Sequence, residues 1–148
     1  MTSTESAAKE NEELSLGIPE IDAAHQLILE LVSQIEALVK KQSRWMDVHS
    51  ALVQLAEQAR FHFAVEESLM RLYDYPMLTA HATEHRQLSL DVATLMMKSL
   101  TAPVSEDMVA SLRPQWRAHI LTNDTQYAVH FRSHVGAPMD SCDEVKGS

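Results

Sequence analysis

The chain has 148 residues, of which 45% are hydrophobic and 5% aromatic, and its formal net charge is −9. This length fits one domain of ordinary size, and the acidic balance argues against a nucleic-acid partner, whose phosphates require clustered Lys and Arg. The apolar runs are far shorter than the ~20 residues that cross a bilayer. The polar first 14 residues do not form a signal peptide, and the single Cys142 is typical of a reducing compartment. We therefore expect a cytoplasmic protein with no transmembrane segment and no nucleic-acid partner.

Helical segments are predicted along most of the chain, because it contains only three glycines and five prolines. Residues 1–14 are predicted to form a flexible arm, residues 15–135 a helical domain, and residues 136–148 a polar tail. Within the domain, periodic segments predict four helices, at residues 19–41, 44–73, 77–100 and 105–131. Pro114 lies inside the fourth of these and is expected to kink that helix or delay its regular start.

The spacing of apolar residues predicts how these helices pack. In the first three helices the apolar positions recur in steps of three and four, which is the pattern of a bundle seam. Short connections between long helices make neighbouring helices antiparallel. The predicted fold class is therefore all-α, an up-down-up-down antiparallel four-helix bundle with a loose N-terminal arm and a short C-terminal tail.

Polar residues interrupt the apolar stripes at several positions. Burying them without partners would cost several kcal/mol in total, and coordination of a metal would compensate for that cost. Taken singly, each histidine could be an ordinary hydrogen-bonded residue of the core. That explanation does not account for five histidines and a glutamate together. The residues are His25, His62, Glu66, His81, His85 and His119.

The spacing of these residues supports a shared site and leaves one position open. His62 and Glu66 are four residues apart, as are His81 and His85, so each pair lies on one helical face. Asp124 follows His119 by five residues, which on a regular helix is a rotation of about 140° away from it. Either the helix is locally distorted, as often happens at functional sites, or the carboxylate reaches back.

Four sequence motifs occur in a fixed order. They are residues 17–25 (GIPEIDAAH), 61–67 (FHFAVEE), 81–85 (HATEH) and 119–124 (HILTND), with Tyr75-Pro76 before the third and Tyr127 after the last. One HxxxH pair is weak support for a site, but four motifs in order on four predicted helices are specific. Across residues 16–131 the chain resembles the hemerythrin family, and more closely its single-domain bacterial members.

The resemblance implies a non-haem di-iron centre with a bridging oxo or hydroxo ligand. The second iron of the pair would keep an open position where dioxygen binds. The implied function is reversible dioxygen binding by an oxygen carrier, store or supplier to an oxygen-using enzyme, acting as a monomer and not as an enzyme. The implied metal ligands are His81, His85 and His119 on one iron, His25 and His62 on the other, and Glu66 and Asp124 bridging both.

A dry pocket beside the irons would protect bound oxygen from stray protons and electrons. We expect this pocket to be lined by Ile28, Phe63, Leu88, Ile120 and Trp116. The family usually has leucine where this chain has Trp116, and tryptophan where it has Gln115. Our hypothesis is that Trp116 reshapes access to the pocket and changes the oxygen on-rate, off-rate or autoxidation rate.

Other functions and residue roles remain open from the sequence. The chain could be a di-iron oxidase, a peroxidase or a nitric-oxide-handling enzyme. It could also be an oxygen or redox sensor that acts through a partner, or a metal store. Asp22 is interpreted as an acid that stabilises the first turn of its helix, and Glu67 as solvated. His49, His130 and His134 match no motif and are predicted to lie on the surface.

Overall fold

The computed structural model of the protein describes residues 2–135, and all its regular elements are helices. The predicted tail, with Cys142, lies outside the described residues. In chain order the elements are α1 (Ser3–Glu13), α2 (Pro19–Lys40), α3 (Trp45–Leu72), α4 (Leu78–Thr101), α5 (Glu106–Val109), α6 (Leu112–His119), a π-helical segment (Ile120–Asp124) and α7 (Thr125–Val135).

The four-helix bundle is made of α2, α3, α4 and a composite fourth helix, in which α6, the π segment and α7 follow one another without a break. Helix α3 packs against both α2 and α4, and α6 packs against α2 and α4. The predicted all-α bundle is confirmed, and the first and last residues of its first three helices differ from the predicted ones by at most one residue. Between residues 2 and 135, no helix is both long enough and apolar enough to cross a bilayer.

The ends of the long helices follow from local backbone chemistry. Pro19 occupies the first turn of α2, where its fixed φ suits the helix and its missing N–H has no intrahelical partner to lose. After α2 the chain reverses at Gln42, whose φ is 53°, and after α3 it reverses at Asp74, whose φ is 51°. Aspartate tolerates this left-handed conformation better than most residues.

The fourth helix begins in two stages. Ser105 caps the short α5 by accepting a hydrogen bond from the Met108 N–H, at 3.3 Å. The chain then turns at residues 110–111, and α6 begins at Leu112. Pro114 therefore lies in the first turn of α6, where a proline costs no intrahelical hydrogen bond. Two effects of Pro114 were predicted, a kink in the helix or a delayed regular start. The structure shows the delayed start.

The N-terminal arm differs from its expectation. Residues 3–13 form α1, whose first turn is closed by a capping box between Thr2 and Glu5. No residue of α1 is buried. Ion pairs hold its last turns on α6: the Arg117 guanidinium lies 2.9 Å from Glu10 and 2.7 Å from Glu13, and Arg113 also contacts Glu10. The sequence could not predict this contact, because the acids of α1 look like a solvated helical face.

Candidate metal centre

The seven side chains that the sequence proposed as ligands meet in the interior of the bundle. None is more than 5% exposed. They form two groups that share one carboxylate, and within each group the candidate ligand atoms lie within 4.8 Å of one another. The first group is His81, His85, His119 and Asp124, and the second is His25, His62, Glu66 and Asp124.

Each helix of the bundle supplies part of this cluster. Helix α2 contributes His25 near its start, and α3 contributes His62 and Glu66 near its end. Because the helices alternate in direction, these positions lie at the same end of the bundle as the start of α4, which contributes His81 and His85. The composite fourth helix contributes the remaining two residues, and the π segment places the second of them.

The π segment explains the five-residue spacing between His119 and Asp124. It spans Ile120–Asp124, and the Thr125 N–H bonds to the Ile120 carbonyl five residues earlier, so five residues close one turn here instead of overshooting it. The Thr125 hydroxyl donates to the same carbonyl at 2.9 Å. The sequence left open whether the helix is distorted or the Asp124 carboxylate reaches back. The structure shows a local distortion of the helix.

The Asp124 carboxylate faces both histidine groups. Its Oδ1 lies 2.8 Å from His81 Nε2 and 3.0 Å from His119 Nε2. Its Oδ2 lies 3.0 Å from His25 Nε2. One oxygen is therefore directed to each group.

The Glu66 carboxylate repeats this arrangement from the opposite side. Its Oε1 contacts His62 Nε2 and lies 3.6 Å from His25 Nε2. Its Oε2 lies 3.5 Å from His81 Nε2 and 3.7 Å from His85 Nε2. Each of the two carboxylates therefore spans the two histidine groups.

The hydrogen-bonding state of the cluster fits a metal. Although several of these atoms lie close to one another, within residues 2–135 none of the five histidine Nε2 atoms and none of the four carboxylate oxygens of Glu66 and Asp124 makes a hydrogen bond of acceptable geometry. Buried polar atoms nearly always have a hydrogen-bond partner. A group of unpaired nitrogen and oxygen atoms in one place therefore indicates a missing ligand that accepts their lone pairs, such as a metal ion. Imidazole nitrogen and carboxylate oxygen are donors that suit iron. The residues present therefore fit a non-haem iron site.

Burial and mutual contacts shift the pKa values of several groups in the cluster. Burial alone would lower the pKa of His25 and His81, but the facing carboxylates of Asp124 and Glu66 raise both pKa values to about 9. Burial lowers the pKa of His85 to about 3. Burial would raise the pKa of Asp124, but contacts with His119, His25 and His81 hold it well below its usual range. Metal binding must displace protons from such a cluster.

Two further carboxylates contact the histidines from behind. Glu67 Oε2 lies 3.2 Å from His85 Nδ1, and Glu84 Oε1 lies 3.1 Å from His119 Nδ1. Such contacts fix the ring orientation and raise the basicity of the nitrogen that faces the metal. The expectation that Glu67 is solvated is corrected, because this side chain is 21% exposed and turned to His85. Among the described residues, the buried His25 Nδ1 has no partner.

The five residues predicted to line an oxygen pocket are buried packing residues. Trp116 is 1% exposed and stacks on Phe63, with ring centroids 5.3 Å apart. Phe63 stacks in turn on His85, at 3.9 Å. Ile28, Leu88 and Ile120 are also buried. The stacked rings of Phe63 and Trp116 cover one face of His85.

A cavity reaches the cluster from a different direction. It lies between α2 and α3, has a volume of about 590 Å³, and touches His62 and Glu66. Its remaining walls are mainly apolar and include Leu27, Phe61 and Val65. None of the five predicted pocket residues lines it. Sequence reasoning missed this cavity, because exposed apolar residues on two helices do not indicate that they flank one opening.

The remaining polar residues lie outside the cluster. Asp22 accepts hydrogen bonds from the Leu16 N–H and the Ser15 hydroxyl, each at 2.8 Å, and so orders the turn before α2. His49 is half-buried and bonds the Ser99 hydroxyl at 2.8 Å. His130 is half-buried and bonds the Tyr73 carbonyl at 2.7 Å. The prediction that these two histidines lie on the surface is therefore only partly right.

Comparison with known proteins finds relatives over most of the chain. The sequence profile of the hemerythrin HHE cation binding domain matches residues 16–129. The bacteriohemerythrin of Stenotrophomonas maltophilia is 26% identical over 125 residues, which are 84% of this chain and 81% of that protein. The bacteriohemerythrin of Clostridium acetobutylicum is 26% identical over 122 residues, which are 78% of this chain and 95% of that protein.

Solved structures support the fold. The crystal structure of wild-type hemerythrin superposes with a TM-score of 0.71 at 24% identity, covering 76% of this chain and 88% of that one. A bundle of antiparallel helices around a buried cluster of histidines and carboxylates defines a non-haem metal-binding protein. The chain belongs to the hemerythrin family, and its similarity to two bacteriohemerythrins supports a bacterial member of that family.

Proposed function

We propose that the chain binds two iron ions in this cluster and uses them to bind dioxygen reversibly. The observation that carries the proposal is the arrangement of Glu66 and Asp124, each of which directs one oxygen to each histidine group. Such carboxylates hold two like charges side by side. Membership of the hemerythrin family supports the choice of iron.

In the proposed centre, one iron has three histidine ligands and the other has two. The ligands are His81, His85 and His119 on the first iron, His25 and His62 on the second, and Glu66 and Asp124 between them. Because the second group has one histidine fewer, an iron held there would have one protein ligand fewer and could accept a small added ligand. When bound, the iron pair supplies the electrons that reversible binding of dioxygen needs.

The surrounding residues support a ligand that is small and uncharged. The apolar cavity between α2 and α3 reaches His62 and Glu66, which belong to the two-histidine group. A diatomic gas enters such a cavity without losing hydrogen bonds, whereas ions and polar substrates would have to be desolvated. Elsewhere in the cluster, the Phe63 ring covers one face of the His85 ring, and Trp116 stacks on Phe63. A dry site slows the proton transfer that would convert bound oxygen irreversibly.

The test is a cycle of absorption spectra of the iron-loaded, reduced protein. We expect a visible band to appear on exposure to oxygen and to disappear when the gas is removed, over several cycles. The variant His62→Ala should lose the band, whereas His49→Ala, which removes a histidine outside the cluster, should keep it. Rapid conversion to a ferric form that no longer responds to oxygen would contradict the proposal and favour a redox enzyme.

A further inference from the structure

A second groove reaches the same cluster from a different face of the bundle. It lies between α3 and α4 and has a volume of about 480 Å³. Arg60, Arg71 and Arg86 line it together with Glu67 and His85. The remaining lining residues are mainly small, such as alanine and serine. The groove therefore combines three cations with a residue of the proposed metal site.

The positive charge of this groove is not neutralised locally. All three arginines are exposed. Within residues 2–135, the ion pairs formed by arginine involve Arg44, Arg113 and Arg117, and none involves a groove arginine. Glu67 is the one acid in the groove lining, and it is engaged with His85 Nδ1. On a chain with a net charge of −9, this surface stands out as cationic.

The spacing of the arginines suits an extended partner. Arg60 and Arg71 are both on α3 and are eleven residues apart, which corresponds to about 16 Å along a helix. A single small anion cannot contact both. An acidic protein surface can, because its carboxylates are distributed over comparable distances.

Two contacts connect the groove to the cluster. Glu67 Oε2 lies 3.2 Å from His85 Nδ1, and the Phe63 ring stacks on the His85 ring at 3.9 Å. Both Glu67 and Phe63 line the groove. Because electronic coupling between donor and acceptor falls steeply with distance, a donor bound in the groove would reach His85 through one intervening side chain.

The two openings reach different halves of the cluster and differ in polarity. The apolar cavity touches His62 of the two-histidine group, whereas the cationic groove touches His85 of the three-histidine group. A charged macromolecule in the groove would leave the gas route open.

We propose that the groove lined by Arg60, Arg71 and Arg86 is the docking surface for an acidic one-electron donor protein. In each encounter the donor loses one electron and one ferric ion becomes ferrous, so two encounters reduce the pair. No covalent bond forms or breaks, and the electron passes by the contacts of Glu67 and Phe63 with His85. This inference rests on the proposed iron content of the site, but not on reversible oxygen binding.

The test uses the full chain loaded with iron in the ferric form, in the absence of oxygen. Reduction is followed by stopped-flow absorption with two donors: a reduced [2Fe–2S] ferredoxin with an acidic surface, and the methyl viologen radical, which is a small cation. For the wild-type protein we expect the rate with ferredoxin to fall as salt is added, because attraction between opposite charges is screened. If repulsion between the two net-negative molecules controlled the encounter, the rate would instead rise as salt is added.

The decisive variant is Arg60→Gln/Arg71→Gln/Arg86→Gln. Its rate with ferredoxin at low salt should fall about tenfold, while its rate with methyl viologen should not fall. The matched control, Lys40→Gln/Lys41→Gln/Arg44→Gln, removes the same charge at the opposite end of the bundle and should lower the ferredoxin rate much less. Equal effects of the two triple variants, or no effect of either, would overturn the proposal.

Binding is tested separately from electron transfer. Chemical-shift changes in the ¹⁵N-labelled metal-free protein on addition of oxidised ferredoxin should concentrate on residues 60–71 and 82–89. Shifts confined to another face would overturn the assignment of the surface. A failed oxygen cycle with groove-dependent reduction would overturn the proposed oxygen function alone, so the two failures can be told apart.

Discussion

Asp124 Oδ1 lies 3.0 Å from His119 Nε2 although the two residues are separated by five positions on one helix. The contact exists because the helix widens to a π turn between them. Without that turn, the carboxylate would be rotated by about 140° from the histidine. A local irregularity of the backbone thus completes the cluster, and π turns occur often at functional sites.

Asp124 is predicted to be required for binding of both metal ions. Replacing it with asparagine keeps the size but removes the negative charge that faces His25, His81 and His119. We expect the iron content of Asp124→Asn to fall from two ions per chain to one or fewer, measured by metal analysis after reconstitution. Asp91→Asn changes a surface acid on α4 and is the matched control. Two tightly bound ions in Asp124→Asn would exclude a bridging role.

Glu84 is predicted to act through His119. The variant Glu84→Gln weakens the contact to His119 Nδ1, which lies 3.1 Å from the carboxylate. Loss of such a contact typically lowers metal affinity by about 10- to 100-fold. Competition with a chelator, followed by cobalt absorption, measures the change. Glu57→Gln, an exposed acid on α3, should retain the wild-type affinity, and equal affinities of the two variants would argue against the role of Glu84.

The apolar cavity is predicted to control the rate of oxygen entry. Val65 is 42% exposed and lines the cavity that touches His62. Val65→Trp should fill part of this space and slow oxygen association severalfold, with the position of the absorption band unchanged. Stopped-flow mixing of the reduced protein with oxygen measures the rate. Met97→Trp adds a similar ring to an exposed site on α4 and should leave the rate unaltered. An unchanged rate in Val65→Trp would place the gas route elsewhere.

Trp116 is predicted to stabilise the packing of Phe63 against His85. Trp116→Leu removes a buried ring that stacks on Phe63, and large-to-small changes in a core cost about 2–5 kcal/mol. Looser packing over His85 should also admit water and speed autoxidation, with a smaller effect on oxygen association because Trp116 does not line the cavity. Urea unfolding and the decay of the oxygen-dependent band test the two effects. Unchanged on-, off- and autoxidation rates would end this hypothesis.

The metal-free protein is predicted to be most stable near pH 6.5. The raised pKa values of His25 and His81, about 9 against an ordinary 6.5, give stability that is complete below pH 6.5 and is lost as the pH rises to 9. The pKa values of His85, about 3, and of Asp124 are lowered in the folded protein, so stability is also lost as the pH falls. Tm values between pH 4 and 9.5 measure this dependence. The iron-loaded protein should lack the alkaline loss, and a Tm of the metal-free protein that rises from pH 6.5 to 9 would contradict the assignment.

The fold was predictable because it depends on repeated features. The steps of three and four between apolar residues such as Ile28, Val32 and Ile35 determined which faces of the helices are buried. Pro19 determined where α2 begins. These signals are local, and each is repeated along a helix, so one irregular residue does not obscure them.

Parts of the site were also predictable, but only where the helix is regular. The pairs His62–Glu66 and His81–His85 lie four residues apart, and the structure places both pairs in the cluster. The position of Asp124 did not follow from periodicity, since a π turn changes the angle between residues and leaves no clear mark in the sequence. Glu67 was misjudged for a related reason: its contact with His85 depends on the separation between α3 and α4.

The sequence by itself determined the helices, their buried faces and the residue types that could hold a metal, because hydrophobic periodicity and imidazole chemistry are properties of local sequence. Only the tertiary structure decided which carboxylate oxygen faces which histidine, where the apolar cavity opens, and that Arg60, Arg71 and Arg86 share one groove. These relationships depend on the distance and rotation between packed helices. Side chains far apart in the chain set that packing jointly, so no single segment encodes it.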